Sequence, residues 1–153
     1  MGTFGVAEGL VAVGAVAVAV SIFLYWVDLS HNFGGAQITR RLTAKDVPVQ
    51  VLWDYTTHAS NPSLLIVLIP SVALCVAGLL LEHSRWLGAL GGVVALVVGL
   101  LFVYQAHQEL RAEHVPGVGL TDFVGKAPYV CIAGGALALV GGGLAFLRGS
   151  ART

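Results

Sequence analysis

Residues 86–106 read WLGALGGVVALVVGLLFVYQA, 21 residues from Trp86 to Ala106 without an Asp, Glu, Lys or Arg. At 1.5 Å per residue, a helix of about 20 residues crosses a hydrocarbon core of roughly 30 Å. Outward from this stretch stand three more uncharged apolar runs, at 9–27, 63–81 and 127–147. Backbone facing lipid must satisfy its own hydrogen bonds, so each run is expected to be helical. Barrel strands would instead alternate in polarity over about 10 residues. The expected architecture is an all-α integral membrane protein, a single domain over 1–153. It is a four-transmembrane-helix antiparallel bundle with helices at about 6–27, 62–82, 86–114 and 127–148 and an extracytoplasmic loop at 28–61.

Composition points the same way. The chain is 57% hydrophobic and 10% charged, with mean hydropathy +0.86, whereas an ordinary soluble domain is about a quarter charged. Eight basic and eight acidic residues cancel, which leaves no basic field for nucleic acid. Cys75 and Cys131 are too few for a disulfide scaffold and form no C-x-x-C. No Lys or Arg precedes Arg40, so the first run lacks the basic start of a signal peptide and is read as a retained helix.

Local signals set the boundaries. The first run ends in Phe23, Tyr25 and Trp26, an interfacial belt. Asn61 is the expected N-cap of the second helix, with Pro62 at its first position. Pro70, inside that helix, is expected to kink it, as a packing feature or as a gating hinge. The tight turn Glu82-His83-Ser84-Arg85 makes the second and third helices antiparallel neighbours. Nothing breaks the third helix before Pro116-Gly117, so it is expected to project about two turns beyond the bilayer. In the first loop Gly34-Gly35 suggests a turn. Residues 37–42 and 47–53 are either a short β-hairpin around Lys45-Asp46 or coil, and Trp53-Asp54-Tyr55 reads as a second interfacial anchor.

Four spans put both termini on one side. That side carries Arg85, Arg148 and Arg152, while the loop side carries Arg40, Arg41, Lys45, Arg111 and Lys126. A bare positive-inside count favours a cytoplasmic loop side. Against it, the terminal-side arginines lie tight against the spans, and the loop bases are diluted by acids. The layout of Tyr25-Trp26, a polar loop, a tight charged turn and a last span running Val124-Gly125-Lys126-Ala127-Pro128-Tyr129 into Gly134-Gly135 and Gly141-Gly142-Gly143 resembles small actinobacterial tetraspan membrane proteins. That resemblance implies cytoplasmic termini and a first loop outside the plasma membrane, and it implies no particular activity.

The spans contain no mid-membrane ionisable residue, the usual mark of a transport path. Ser21 and Ser71 are expected to bond back to their own helices. Small residues at Gly88, Gly92, Gly99, Gly134, Gly135, Gly141 and Gly142 let helices approach closely. They serve either packing within the bundle or a partner's helix. No His lies mid-span to ligate haem. His107 and His114 share a helix face with Arg111 between them, which disfavours a metal cation, so no metal or cofactor is expected. No nucleophile elbow, phosphate loop or zinc-protease motif occurs.

The expected function is therefore non-catalytic. The protein would be an accessory or assembly subunit in the lipid bilayer, binding other integral membrane proteins or its own copies through Gly-rich faces and outer loops. Arg40, Arg41, Trp53, Asp54, Tyr55, His107, Arg111 and His114 are the candidate contact residues. The alternatives are a small oligomeric transporter, channel or holin-like pore, and a lipid enzyme at the membrane interface using His58, Asp54 or His107 as base.

Overall fold

The computed structural model describes residues 5–28, 31–33, 36–38, 41–54, 62–113 and 119–151. In chain order the elements are α1 (Val6–Phe23), β1 (Tyr25–Asp28), β2 (His31–Phe33), β3 (Ala36–Ile38), β4 (Arg41–Thr43) and a 3-10 turn (Val49–Leu52). There follow α2 (Leu65–Leu80), a second 3-10 turn (Glu82–Ser84), α3 (Trp86–Glu113), α4 (Leu120–Phe123) and α5 (Ala127–Ser150). The fold is mostly helical. Helices α1, α3 and α5 are each long and apolar enough to cross a membrane. Helix α2 has 16 residues, about 24 Å of rise.

The glycine spacing of α5 explains why it sits between α1 and α3. Gly134 and Gly141 lie seven residues apart and turn to α1, while Gly135 and Gly142 turn to α3. A side chain beginning at Gly134 would come within 2.8 Å of Ala17 Cβ, and one at Gly141 within 2.6 Å of the Ala7 carbonyl. On the other seam, one at Gly135 would lie 2.6 Å from Leu96 N, and one at Gly142 would fall on the Ala89 backbone. Gly92 and Gly99 of α3 face Gly135 and Ile132 in return, and Gly88 meets Val11. All seven glycines singled out in the sequence thus face another helix of the same chain. Residue numbers rise on one helix as they fall on the other across both seams, so α5 runs antiparallel to α1 and α3.

Helix α2 packs on α3 and α1. Gly78 lies on the Gly88 backbone, and the Ser71 hydroxyl donates to the Gly91 carbonyl at 2.8 Å. Ser71 therefore crosses to its neighbour instead of bonding back within its helix, whereas Ser21 does bond back, to the Val18 carbonyl at 2.6 Å. Pro70 is on the exposed side of α2. At the terminal end, Arg85 in the α2–α3 turn lies 3.3 Å from Glu8 of α1.

Three boundaries differ from the sequence expectation. Helix α1 stops at Phe23, not near residue 27, because Leu24 is extended and Trp26 swings inward. The Trp26 indole N–H donates to the Ser21 carbonyl at 3.0 Å, and its ring stands edge-on to Phe102 at 5.1 Å. Trp26 is thus a core residue rather than an interfacial anchor, and the loop segment begins at Tyr25. Helix α2 starts three residues after the expected 62, because the preceding backbone is already paired. Val49 N–H donates to the Pro62 carbonyl and Leu64 N–H to the Val47 carbonyl. Its expected cap, Asn61, lies outside the described residues. Finally, of the two segments read as hairpin or coil, 37–42 is strand at its described residues, in β3 and β4, whereas 47–53 is not strand. β1 pairs with β4 and β2 with β3, and Asp28↔Arg41 and His31↔Ile38 continue one antiparallel register. Residues 49–52 instead form the first 3-10 turn.

Between their polar ends, the four long helices turn apolar side chains outward, including Val13, Val16, Ile66, Ile69, Val93, Val97, Leu100, Val140 and Leu144. A helix apolar on all sides needs either a protein interior or lipid around it.

Candidate functional site

The loop end of the bundle is built on a core of large side chains. Trp26, Phe102, Leu64 and Leu68 are fully buried there, joined by Val47, Val49, Val51 and Leu52 of the first loop. Pro48 starts the 3-10 turn with fixed φ, and Gln105 of α3 holds its end, donating to the Leu52 carbonyl at 3.3 Å. The Asp46 carboxylate accepts from the Thr43 N–H and hydroxyl at 3.1 and 2.9 Å, which closes the turn after β4. On the far side Val124 bridges to Val27, and Gly125 N–H donates to the Trp26 carbonyl at 3.1 Å. A side chain at Gly125 would collide with the Tyr25 carbonyl, so the strand and the α4–α5 connection touch only because that position is glycine.

On this support sit the candidate contact residues. Trp53, next after the 3-10 turn, is 63% exposed, with its N–H donated to the Gln50 carbonyl. Asp54 is exposed beside it. His107 and Arg111 are exposed on α3 one turn apart, and Gln105 ties that helix to the turn carrying Trp53. Arg41 is exposed on β4, where its guanidinium lies 3.6 Å from the Asp28 carboxylate and 5.2 Å above the Tyr25 ring. The structure therefore joins Trp53 and Asp54 to the His107/Arg111 helix through Gln105, and seats Arg41 on the β1–β4 ladder. Arg40, Tyr55, His58 and His114 lie outside the described residues.

Chemically this face offers an aromatic ring, cations and a carboxylate. Among the described residues no three His, Cys, Asp or Glu side chains gather closely enough to hold a metal. The two cysteines are apart and buried, Cys75 directed at the Gly88 carbonyl and Cys131 at the Ala95 carbonyl.

A second concavity, at the opposite end, is one that the sequence reading passed over as a tight turn. It is lined by Glu82, His83, Arg85 and Trp86 on one side and Ala145, Phe146, Gly149 and Ser150 of α5 on the other, with a volume of about 370 Å³. The signal that marked it was the juxtaposition of Arg85 and Trp86, a charge and an interfacial aromatic at the start of a span. No known protein family matches this chain, and no curated protein is similar enough to count as a relative.

Proposed function

We propose that the chain is a four-span, non-catalytic plasma-membrane protein that acts as an accessory or assembly subunit, engaging a partner membrane protein through its loop end. One observation carries the reading. Gly88, Gly92, Gly99, Gly134, Gly135, Gly141 and Gly142 are all occupied within the bundle, while a large aromatic, Trp53, stands 63% exposed on a braced turn. Exposed Trp and Arg on a rigid support are what protein interfaces use as anchors. Relative to the sequence expectation, which named both Gly-rich faces and outer loops, partner contact narrows to the loop end.

Further support comes from the polarity of the helices. The α1, α3 and α5 surfaces are apolar. On α3, exposed Trp86 and Tyr104 are separated by about 27 Å of helix rise, close to the thickness of a hydrocarbon core. The 28-residue α3 then has about two and a half polar turns left to project into water. Helix α2 is the fourth span, completed by the paired backbone at residues 62–64. The termini lie in the cytoplasm.

The test is purification of the tagged full-length chain from its own membrane in mild detergent, with identification of what co-purifies. A stoichiometric partner is expected. Trp53→Ser with Arg111→Glu should lower its recovery by at least about tenfold. Recovery of the chain alone, or of an undiminished partner with the double variant, would contradict the reading.

A further inference from the structure

The cavity at the terminal end is amphipathic in a specific way. Its lining mixes polar Glu82, His83, Arg85 and Ser150 with apolar Trp86, Ala145 and Phe146. Trp86 is 50% and Phe146 53% exposed, so the opening lies where the apolar surface of α3 and α5 meets the charged end of the bundle. Gly149 leaves open space, with nothing within 4 Å of where a side chain would begin. At about 370 Å³ it is at the small end of the range for ligand pockets.

We infer that this cavity binds the headgroup of a phospholipid that carries both a phosphate and a primary ammonium, the phosphoethanolamine class. Arg85 supplies the phosphate contact. Glu8 engages its Nη1 at 3.3 Å, and a guanidinium has five N–H donors arranged as a fork that fits phosphate oxygens. Glu82 supplies the ammonium contact. Trp86 and Phe146 flank the glycerol and the first methylenes, as interfacial aromatics do. The pair of opposite charges decides the class. A net-anionic headgroup would bring no cation to the Glu82 carboxylate, and a trimethylated ammonium would bring its charge without the N–H that makes a charge-assisted hydrogen bond. The apolar wall decides the source, since a free headgroup gains nothing from Trp86 and Phe146. The inference rests on the membrane-spanning part of the proposed function and is independent of any protein partner.

The experiment uses the delipidated full-length protein in mild detergent, titrated by native mass spectrometry. The probes are phosphatidylethanolamine, phosphatidylglycerol and phosphatidylcholine with identical acyl chains, and free phosphoethanolamine. Phosphatidylethanolamine should bind about threefold to fivefold more tightly than the other two lipids, the factor one accessible charge-assisted hydrogen bond supplies. Free phosphoethanolamine should not compete. Glu82→Gln should erase the preference, and Gly149→Leu, which fills the cavity from a position with open space, should weaken retention of all three lipids. Equal retention of the three lipids, effective competition by the free headgroup, or an unchanged preference in Glu82→Gln would overturn the inference. Extraction of native membranes with alkaline carbonate reads the underlying premise separately. Protein that stays in the pellet but shows no lipid preference sinks this inference alone, whereas release into the supernatant sinks the membrane reading as well.

Discussion

The two ends of the bundle are held together by different means. Toward the termini the buried positions are small: Ala7, Gly14, Ala15, Ala138, Gly141, Gly142 and Ala145, with Val11 and Cys75 the bulkier exceptions. Toward the loops the buried positions include the large Trp26, Phe102, Leu64, Leu68 and Pro128, beside small ones such as Ala44, Ala106 and Ala127. The difference is the one that two solvents, lipid and water, would make. A helix surrounded by lipid gains nothing from hiding a leucine, because lipid is as apolar as the neighbouring helix, so close backbone approach and dispersion contacts have to hold the seam. A loop layer meeting water gains from every apolar side chain it buries. The packing along α1, α3 and α5 is thus of the kind that helices in lipid need, and the packing where the first loop folds back on them is of the kind a water-facing layer uses.

The contrast predicts a ranked set of effects, readable by thermal or denaturant unfolding in detergent. Trp26→Ala should cost the most, about 3–5 kcal/mol, because it empties a fully buried aromatic site and leaves Phe102 without its edge contact. Gly135→Ala comes next, at roughly 1–3 kcal/mol. Its Cβ would press on Leu96 N at 2.6 Å and the Gly92 carbonyl at 2.8 Å, both of them backbone that cannot rotate away. Its control is Gly143→Ala, where nothing lies within 4 Å. That change should stay within about 0.5 kcal/mol, and equal losses at the two glycines would remove the seam argument. Ser71→Ala should be smallest, about 0.6 kcal/mol, the average for an interhelical hydrogen bond in a membrane protein. A loss approaching that of Trp26→Ala would mean that polar contacts, not close packing, hold α2 in place.

The sequence was most legible where the physics is one-dimensional. Uncharged length located α3 and α5 to within a few residues, since hydrocarbon thickness sets a length and a charge ends it. The seven-residue pairs in α5 were legible as faces, but not which neighbour each face meets, because that depends on helix order. The end of α1 was misread because Tyr25-Trp26-Val27 is apolar enough for either a span or a strand. What decides is a contact to Phe102, 76 positions away. Residues 47–53 stayed open between strand and coil for a related reason: their partners are Pro62, Ser63 and Gln105, none of them local. Among the candidate contact residues, exposure of Trp53, His107 and Arg111 agrees with their polar or interfacial setting. The brace beneath Trp53 had no signature in the local pattern.

The central claim is that α2, the shortest of the four long helices, is a full span, so that the first loop and the Glu82–Ser84 turn lie on opposite sides of the membrane. Membrane-impermeant thiol labelling tests it directly, because Cys75 and Cys131 are both buried. Single variants Lys45→Cys, His83→Cys and Ser150→Cys would be probed in intact cells and again after permeabilisation. The account predicts that Lys45→Cys labels in intact cells, and that His83→Cys and Ser150→Cys label only after permeabilisation. The reverse pattern would keep four spans and overturn the orientation. Labelling of Lys45→Cys and His83→Cys from the same side would contradict the claim outright.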